Sequence, residues 1–185
     1  MSSPTRSGPA APATPRRRRS GPSAKARRTA ARLAAVQVLY QMDLVGVAPR
    51  VALGEFATHR VGQDLDGDLY VEPDMALLNG IVEGVAERQG DIDAMVSASL
   101  QGHALERLEM LLRAILRAGT YEILAHADVH PRIAINDYMN VAHGFFGGRE
   151  PAMVNGVLDR IARNLRPEEM ARGEGGRDPG DDGDG

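Results

Sequence analysis

The chain has 185 residues, a formal net charge of −3 and no cysteine, which excludes disulfides, Cys-ligated zinc and thiol nucleophiles. No apolar run approaches the ~20 residues of a membrane span, and the arginine-rich start lacks the apolar region of a secretory signal, so a soluble cytoplasmic protein is expected. The small net charge hides an asymmetry. Residues 1–32 carry eight Arg and Lys25 with no acid, residues 33–165 carry 10 bases and 18 acids, and residues 166–185 carry three bases and seven acids.

Residues 1–23 are rich in Pro, Ser, Gly, Ala and Arg. They hold too little apolar surface to offset the entropy of ordering, and a disordered basic arm is expected. A basic arm on an acidic body points towards a polyanion partner, against the plainer reading of a solvated tail. Ser23 suits the cap of a first helix, in which Arg27, Arg28 and Arg32 share one side while Leu33, Val36, Val38, Leu39, Tyr40 and Leu44 supply an apolar stripe. Gly46 ends it and Pro49 opens the next element. The segment GQDLDGD (62–68) reads as a polar loop. A pattern from Met75 to Val85 follows Pro73, Gly90-Asp91 interrupts it, and a short helix runs to Leu100. Residues 104–124 read as one long helix, Pro131 opens another to Phe145, and Pro151 opens the last, ending near Leu165 before Pro167. Residues 168–185 read as a disordered acidic tail. These elements predict an all-α bundle of about seven helices in one domain over 24–167.

Candidate chemistry is sparse. His126, Asp128 and His130 of HADVH offer three donor atoms for zinc, but they lie between two helices beside Pro131, where a polar loop is expected. Asp64, Asp66 and Asp68 occupy positions 1, 3 and 5 of a calcium loop, yet Leu69 and Met75 stand where Gly and Glu are required. No serine sits in a nucleophile motif, and no glycine-rich phosphate cradle follows a strand. No catalytic residue, metal or cofactor is assigned. PAMVNGVLD (151–159) is odd: Asn155-Gly156, a turn signal, falls inside a helical pattern. The expected reading is structural, with Gly156 admitting a neighbouring helix and Asn155 bonding a loop or cap.

Taken in order, four segments resemble the bacterial transcription antitermination family NusB. They are RRTAARLAAVQVLYQMDL with its Gln37-Val38-Leu39-Tyr40 run, RAILRAGTYEI (113–123), VHPRIAIND (129–137) and FFGGREPAMVNGVLDRIA (145–162). The resemblance covers about 24–167. It implies two packed three-helix groups plus a further helix, and no enzymatic activity. It implies binding of boxA RNA from nascent ribosomal RNA transcripts, jointly with the small-subunit ribosomal protein NusE, in a complex with RNA polymerase and other Nus factors that supports read-through. Carried over by position, Arg27, Arg28, Arg32, Arg149 and Met153 become RNA-facing. Tyr40, Leu44, Glu106, Leu112, Arg113 and Arg117 become partner-facing. Leu112 stands where the family commonly has Glu, and Ala152 and Met153 where it has a basic residue and Phe. An alternative therefore stays open: a NusB-fold protein-interaction module or paralogue with lost or altered RNA specificity.

Overall fold

Local capping sets the helix ends. In the computed structural model, which describes residues 21–60 and 71–172, Ser23 is extended and its side chain accepts from the Ala26 N–H, opening α1 (Ala24–Val45). Gly46 closes α1 at φ 72°, its N–H bonding the Met42 carbonyl. A residue with no Cβ takes this left-handed conformation without strain. Pro49 opens α2 (Pro49–Arg60), and Asp74 caps α3 (Met75–Glu87) through the Leu77 N–H. Then come α4 (Gln89–Ser99), a 3₁₀ turn (Leu105–Arg107), α5 (Met110–Ala125), α6 (Pro131–Phe145), α7 (Glu150–Leu165) and α8 (Pro167–Arg172). No strand occurs among the described residues. The basic arm through residue 20, the acidic loop and the tail beyond Arg172 lie outside them.

Three expectations change. Gly90 lies inside α4, because the chain breaks earlier, at Arg88. The stretch 104–124 is not one helix: Leu108 and Glu109 are extended, with ψ of 146° and 141°, and separate the 3₁₀ turn from α5. The body also continues past Pro167 into α8, where Met170 is only 1% exposed.

The helix α5 forms the axis. It touches α1, α3, α4, α6 and α7; α1, α2 and α3 pack on one another, and α7 packs on both α4 and α6. Ten residues of α5 are buried, among them Arg117 and Glu122, and charges so placed demand partners. Glu122 finds them in Arg32 and Tyr138. Arg32, 3% exposed, donates from Nε to both Glu122 oxygens at 3.1 and 2.9 Å and from Nη1 to Asp137 Oδ2 at 2.6 Å; its Nη2 also bonds Glu122. The Tyr138 hydroxyl donates to Glu122 Oε2 at 3.0 Å. One arginine of α1 is thereby fastened to α5 and α6. Burial works against the Arg32 charge, yet the bonds and field of Glu122 hold its pKa above the ordinary value. Burial, with the Glu122 charge, raises the Tyr138 phenol well above its usual pKa and keeps it a donor.

Glycines mark where helices come closest. A Cβ on Gly84 of α3 would lie 2.0 Å from the Tyr121 ring of α5. A Cβ on Gly156 would meet only the Arg160 guanidinium, no nearer than 3.9 Å. The expected close approach of a helix at Gly156 is therefore absent.

The buried ion pair and the two glycines make distinct contributions to stability. Arg32→Met strands two carboxylates and is expected to cost about 3–5 kcal/mol in urea unfolding, while Arg32→Met with Glu122→Met recovers much of the loss. Gly156→Ala is expected to stabilise by about 0.5–1 kcal/mol through helix propensity. Gly84→Ala, which drives the Tyr121 ring aside, is expected to destabilise by about 1–3 kcal/mol in the same assay.

Candidate nucleic-acid interface

A groove of about 560 Å³ opens between the start of α1 and the start of α6. Lys25, Arg28 and Arg32 follow one another at i, i+3 and i+7, so one side of α1 turns all three towards it. Across the groove stand Arg132 and Asn136 of α6, four residues apart on that helix. His130 fixes where α6 begins: its Nδ1 accepts from the Arg132 N–H at 3.2 Å, and its Nε2 contacts the Glu169 carbonyl at 3.2 Å. The HADVH segment thus serves as a helix cap and loop. Asp128 lies on the rim and Asp137 on the floor.

Depth sorts these charges. Lys25, Arg28 and Arg132 line the groove's accessible surface, whereas Arg32 is buried with its guanidinium held by Glu122 and Asp137. The expectation that Arg32 faces RNA is corrected: its side chain is 3% exposed and its Nε, Nη1 and Nη2 are already bonded to Glu122 and Asp137, which commits it to the core. It supports the groove from beneath. Beyond Arg132 and Asn136 the surface continues into a smaller cleft of about 210 Å³ between α6 and α7, lined also by Ile135, Met139, Asn155 and Asp159. Exposed Asn155 therefore adjoins the basic groove through the two residues that both cavities share.

The remaining RNA-facing expectations lie elsewhere. Arg27 is exposed on α1, and its carbonyl accepts the Asp74 N–H at 3.1 Å, tying α1 to the start of α3. Arg149 is exposed at the N-cap of α7. Met153, one turn further, is half-buried against the core and so offers less stacking surface than expected. Neither of these two lines the groove. Sequence reasoning missed Lys25, Arg132 and Asn136. Lys25 had a visible signal, since it stands one turn before Arg28; the α6 residues had none, because only the folding of α6 against α1 brings them there.

A second surface gathers at the far end of α1. Leu44, Val45 and Val51 are 56%, 63% and 49% exposed, and Tyr40 is half-buried beside the core. Arg113 lies 3.5 Å from Asp43. Arg117 is 8% exposed; it grips Asp93 with two bonds of 2.7 and 2.8 Å and Asp43 with one of 2.7 Å, locking α5 to α4 and α1. Burial opposes its charge, but these carboxylates keep its pKa above the ordinary value. Leu112 is 4% exposed and belongs to the core. The partner-facing expectations for Arg117 and Leu112 are therefore corrected, because both side chains are already enclosed. Glu106 is exposed on the 3₁₀ turn, not on α5 as the continuous-helix reading placed it.

An all-α bundle with a basic groove at one end and an exposed apolar patch at the other presents two surfaces suited to binding. Residues 29–163 match the model of the NusB family. The chain is 48% identical over 142 residues to the transcription antitermination protein NusB of Rhizobium rhizogenes, covering 76% of this chain and 89% of that protein. It is similar in fold to a NusB of T. maritima, with a TM-score of 0.63 and 24% identity over 78% of this chain and 96% of that one. It is similar also to a chain of a complex of NusB and NusE with double-stranded RNA, with a TM-score of 0.63 and 23% identity over 74% of this chain and 96% of that one. The chain belongs to the NusB family, a family of non-enzymatic transcription antitermination factors. No helix among the described residues is long and apolar enough to cross a membrane.

Arg28→Ala is expected to leave the thermal unfolding midpoint unchanged. It should weaken binding of a single-stranded RNA probe regardless of sequence, lowering the slope of log K against log salt by about 0.7, the value of one phosphate–cation pair. Fluorescence anisotropy at a series of salt concentrations checks the binding, and a thermal melt checks the midpoint.

Proposed function

We propose that this chain binds boxA-type single-stranded RNA of nascent ribosomal RNA transcripts together with NusE, and that the assembly, with RNA polymerase and other Nus factors, supports read-through in the cytoplasm. The observation that carries this reading is the continuous surface from Lys25 and Arg28 across Arg132 and Asn136 to Asn155. Cations along a groove hold a phosphate backbone, and amide side chains beside them have the donors and acceptors to read splayed bases. In the solved complex a NusB is found with NusE and double-stranded RNA; the same two kinds of partner suit the two surfaces here. Arg27 and Arg149 extend the basic surface, with Met153 contributing at its edge. Tyr40, Leu44, Glu106 and Arg113 form the NusE-facing side, and Leu44 with Val45 and Val51 supplies the apolar contact.

Filter binding of boxA RNA against a scrambled RNA, with and without NusE, tests it. Preference for boxA that sharpens on adding NusE is expected; equal weak binding to both RNAs in every condition defeats the specific claim. A second reading is a protein-interaction module with altered RNA specificity. It is favoured by Ala152, exposed without a charge, and by Met153, turned partly to the core. Under it, Ala152→Lys with Met153→Phe raises boxA affinity at least about tenfold, as one regained phosphate contact and one stacking surface allow. An unchanged affinity counts against that second reading.

A further inference from the structure

The helix α8 lies beyond the family match, which ends at residue 163, and it is fastened beside the groove. The Arg166 guanidinium bonds the carbonyls of His126, Ala127 and Val129 at 3.3, 3.1 and 2.8 Å, in the loop that leads into α6. It also pairs with Glu169 at 2.6 Å, an exposed contact that lowers the Glu169 pKa. The Arg132 guanidinium, a wall of the groove, donates to the Met170 carbonyl at 3.1 Å. Arg172, the end of α8, therefore stands two residues after a direct contact with the groove wall.

Beyond Arg172 the sequence reads GEGGRDPGDDGDG, with five acids and one base in 13 residues. At ~3.3–3.6 Å per residue such a segment reaches up to ~45 Å, far more than a groove between neighbouring helices requires. The groove presents Lys25, Arg28 and Arg132. Of its two carboxylates, Asp137 is engaged by Arg32 and Asp128 sits on the rim. Opposite charges are thus held within one tether length.

We propose that residues 173–185 dock in cis into the Lys25–Arg28–Arg132 groove and form an internal competitor that an incoming polyanion must displace. Tethering gives the segment a high effective concentration at the groove, on the order of millimolar, so weak ion pairing is enough to occupy it at low salt. Salt screens the pairing, and the competition fades as ionic strength rises. A nucleic acid with many phosphates outcompetes it, whereas short or isolated anions do not.

The docking itself is tested without RNA. Lys25 is the chain's one lysine, so a zero-length carbodiimide reagent, which joins an amine to a carboxylate, has one side-chain amine to use. The full chain at low salt is expected to give a monomeric product in which the Lys25 peptide is joined to the tryptic peptide DPGDDGDG, and to lose it at a salt concentration of about 0.5 M, where screening is strong. Absence of that product, or its appearance only in dimers, overturns docking in cis. The competition rests on the groove being the polyanion site proposed above. It is measured with the full chain carrying Glu174→Gln, Asp178→Asn, Asp181→Asn, Asp182→Asn and Asp184→Asn. This variant is expected to bind an RNA of about 12 nucleotides roughly fivefold more tightly than the parent at low salt, the gap closing at high salt. Equal affinity at low salt defeats the competitor. A cross-link found with no RNA binding by either protein instead faults the reading of the groove and leaves the docking standing.

Discussion

The buried contact of Arg32 with Glu122 and Asp137 is the constraint on which the arrangement of the interface rests. It joins residues 90 and 105 positions apart in sequence and sets the start of α1 against α6 along the line of the groove. An ion pair of this kind is a poor source of net stability, since desolvating three charges costs several kcal/mol that their attraction only roughly returns. Its effect is on geometry. With Nε and both terminal nitrogens engaged, the guanidinium fixes the rotation of α1, and that rotation turns Arg28 and Lys25 outward above it. Tyr138, kept neutral by burial, adds a donor to Glu122 and holds its orientation.

A similar device works at the opposite end. Arg117 on the axial helix closes on Asp93 and Asp43, tying α4 and α1 to α5. The two clamps divide the surface. Between them α1 is held along its length, so its N-terminal half serves the basic groove and its C-terminal residues Leu44 and Val45 stand clear of the core. The two surfaces therefore lie at opposite ends of one helix that is clamped to its neighbours between them.

How much of this is legible in the sequence depends on the range of the interaction. Ser23, Gly46, Pro49 and Pro131 mark helix ends because caps and turns are decided by neighbouring residues, and the structure places all four where their chemistry calls for them. The break at Leu108 and Glu109 escapes notice because the apolar spacing continues through it and only extended backbone interrupts it. The fates of Arg32, Leu112 and Arg117 are not visible at all. An arginine on a helix looks the same whether it meets water or two carboxylates, and those carboxylates arrive from other helices. Resemblance to a family carried these residues over by position; burial then separated the ones that build the surface from the ones that form it.

The Asn155-Gly156 pair shows the same separation within two residues. In a helix interior glycine forgoes about 1 kcal/mol relative to alanine, and a close helix contact is the usual structural offset. Gly84 and Gly119 have that offset, since an added Cβ there would strike Tyr121 and Leu158. Gly156 has none, for only the end of Arg160 comes within reach. Its lack of a side chain therefore does nothing for the core, and of the pair only Asn155 lines the cleft that continues from the basic groove. The turn-like dipeptide is tolerated in a helix because α7 is held by Val154, Val157, Leu158 and Ile161 on its other face, and it is informative because packing gives no reason for it.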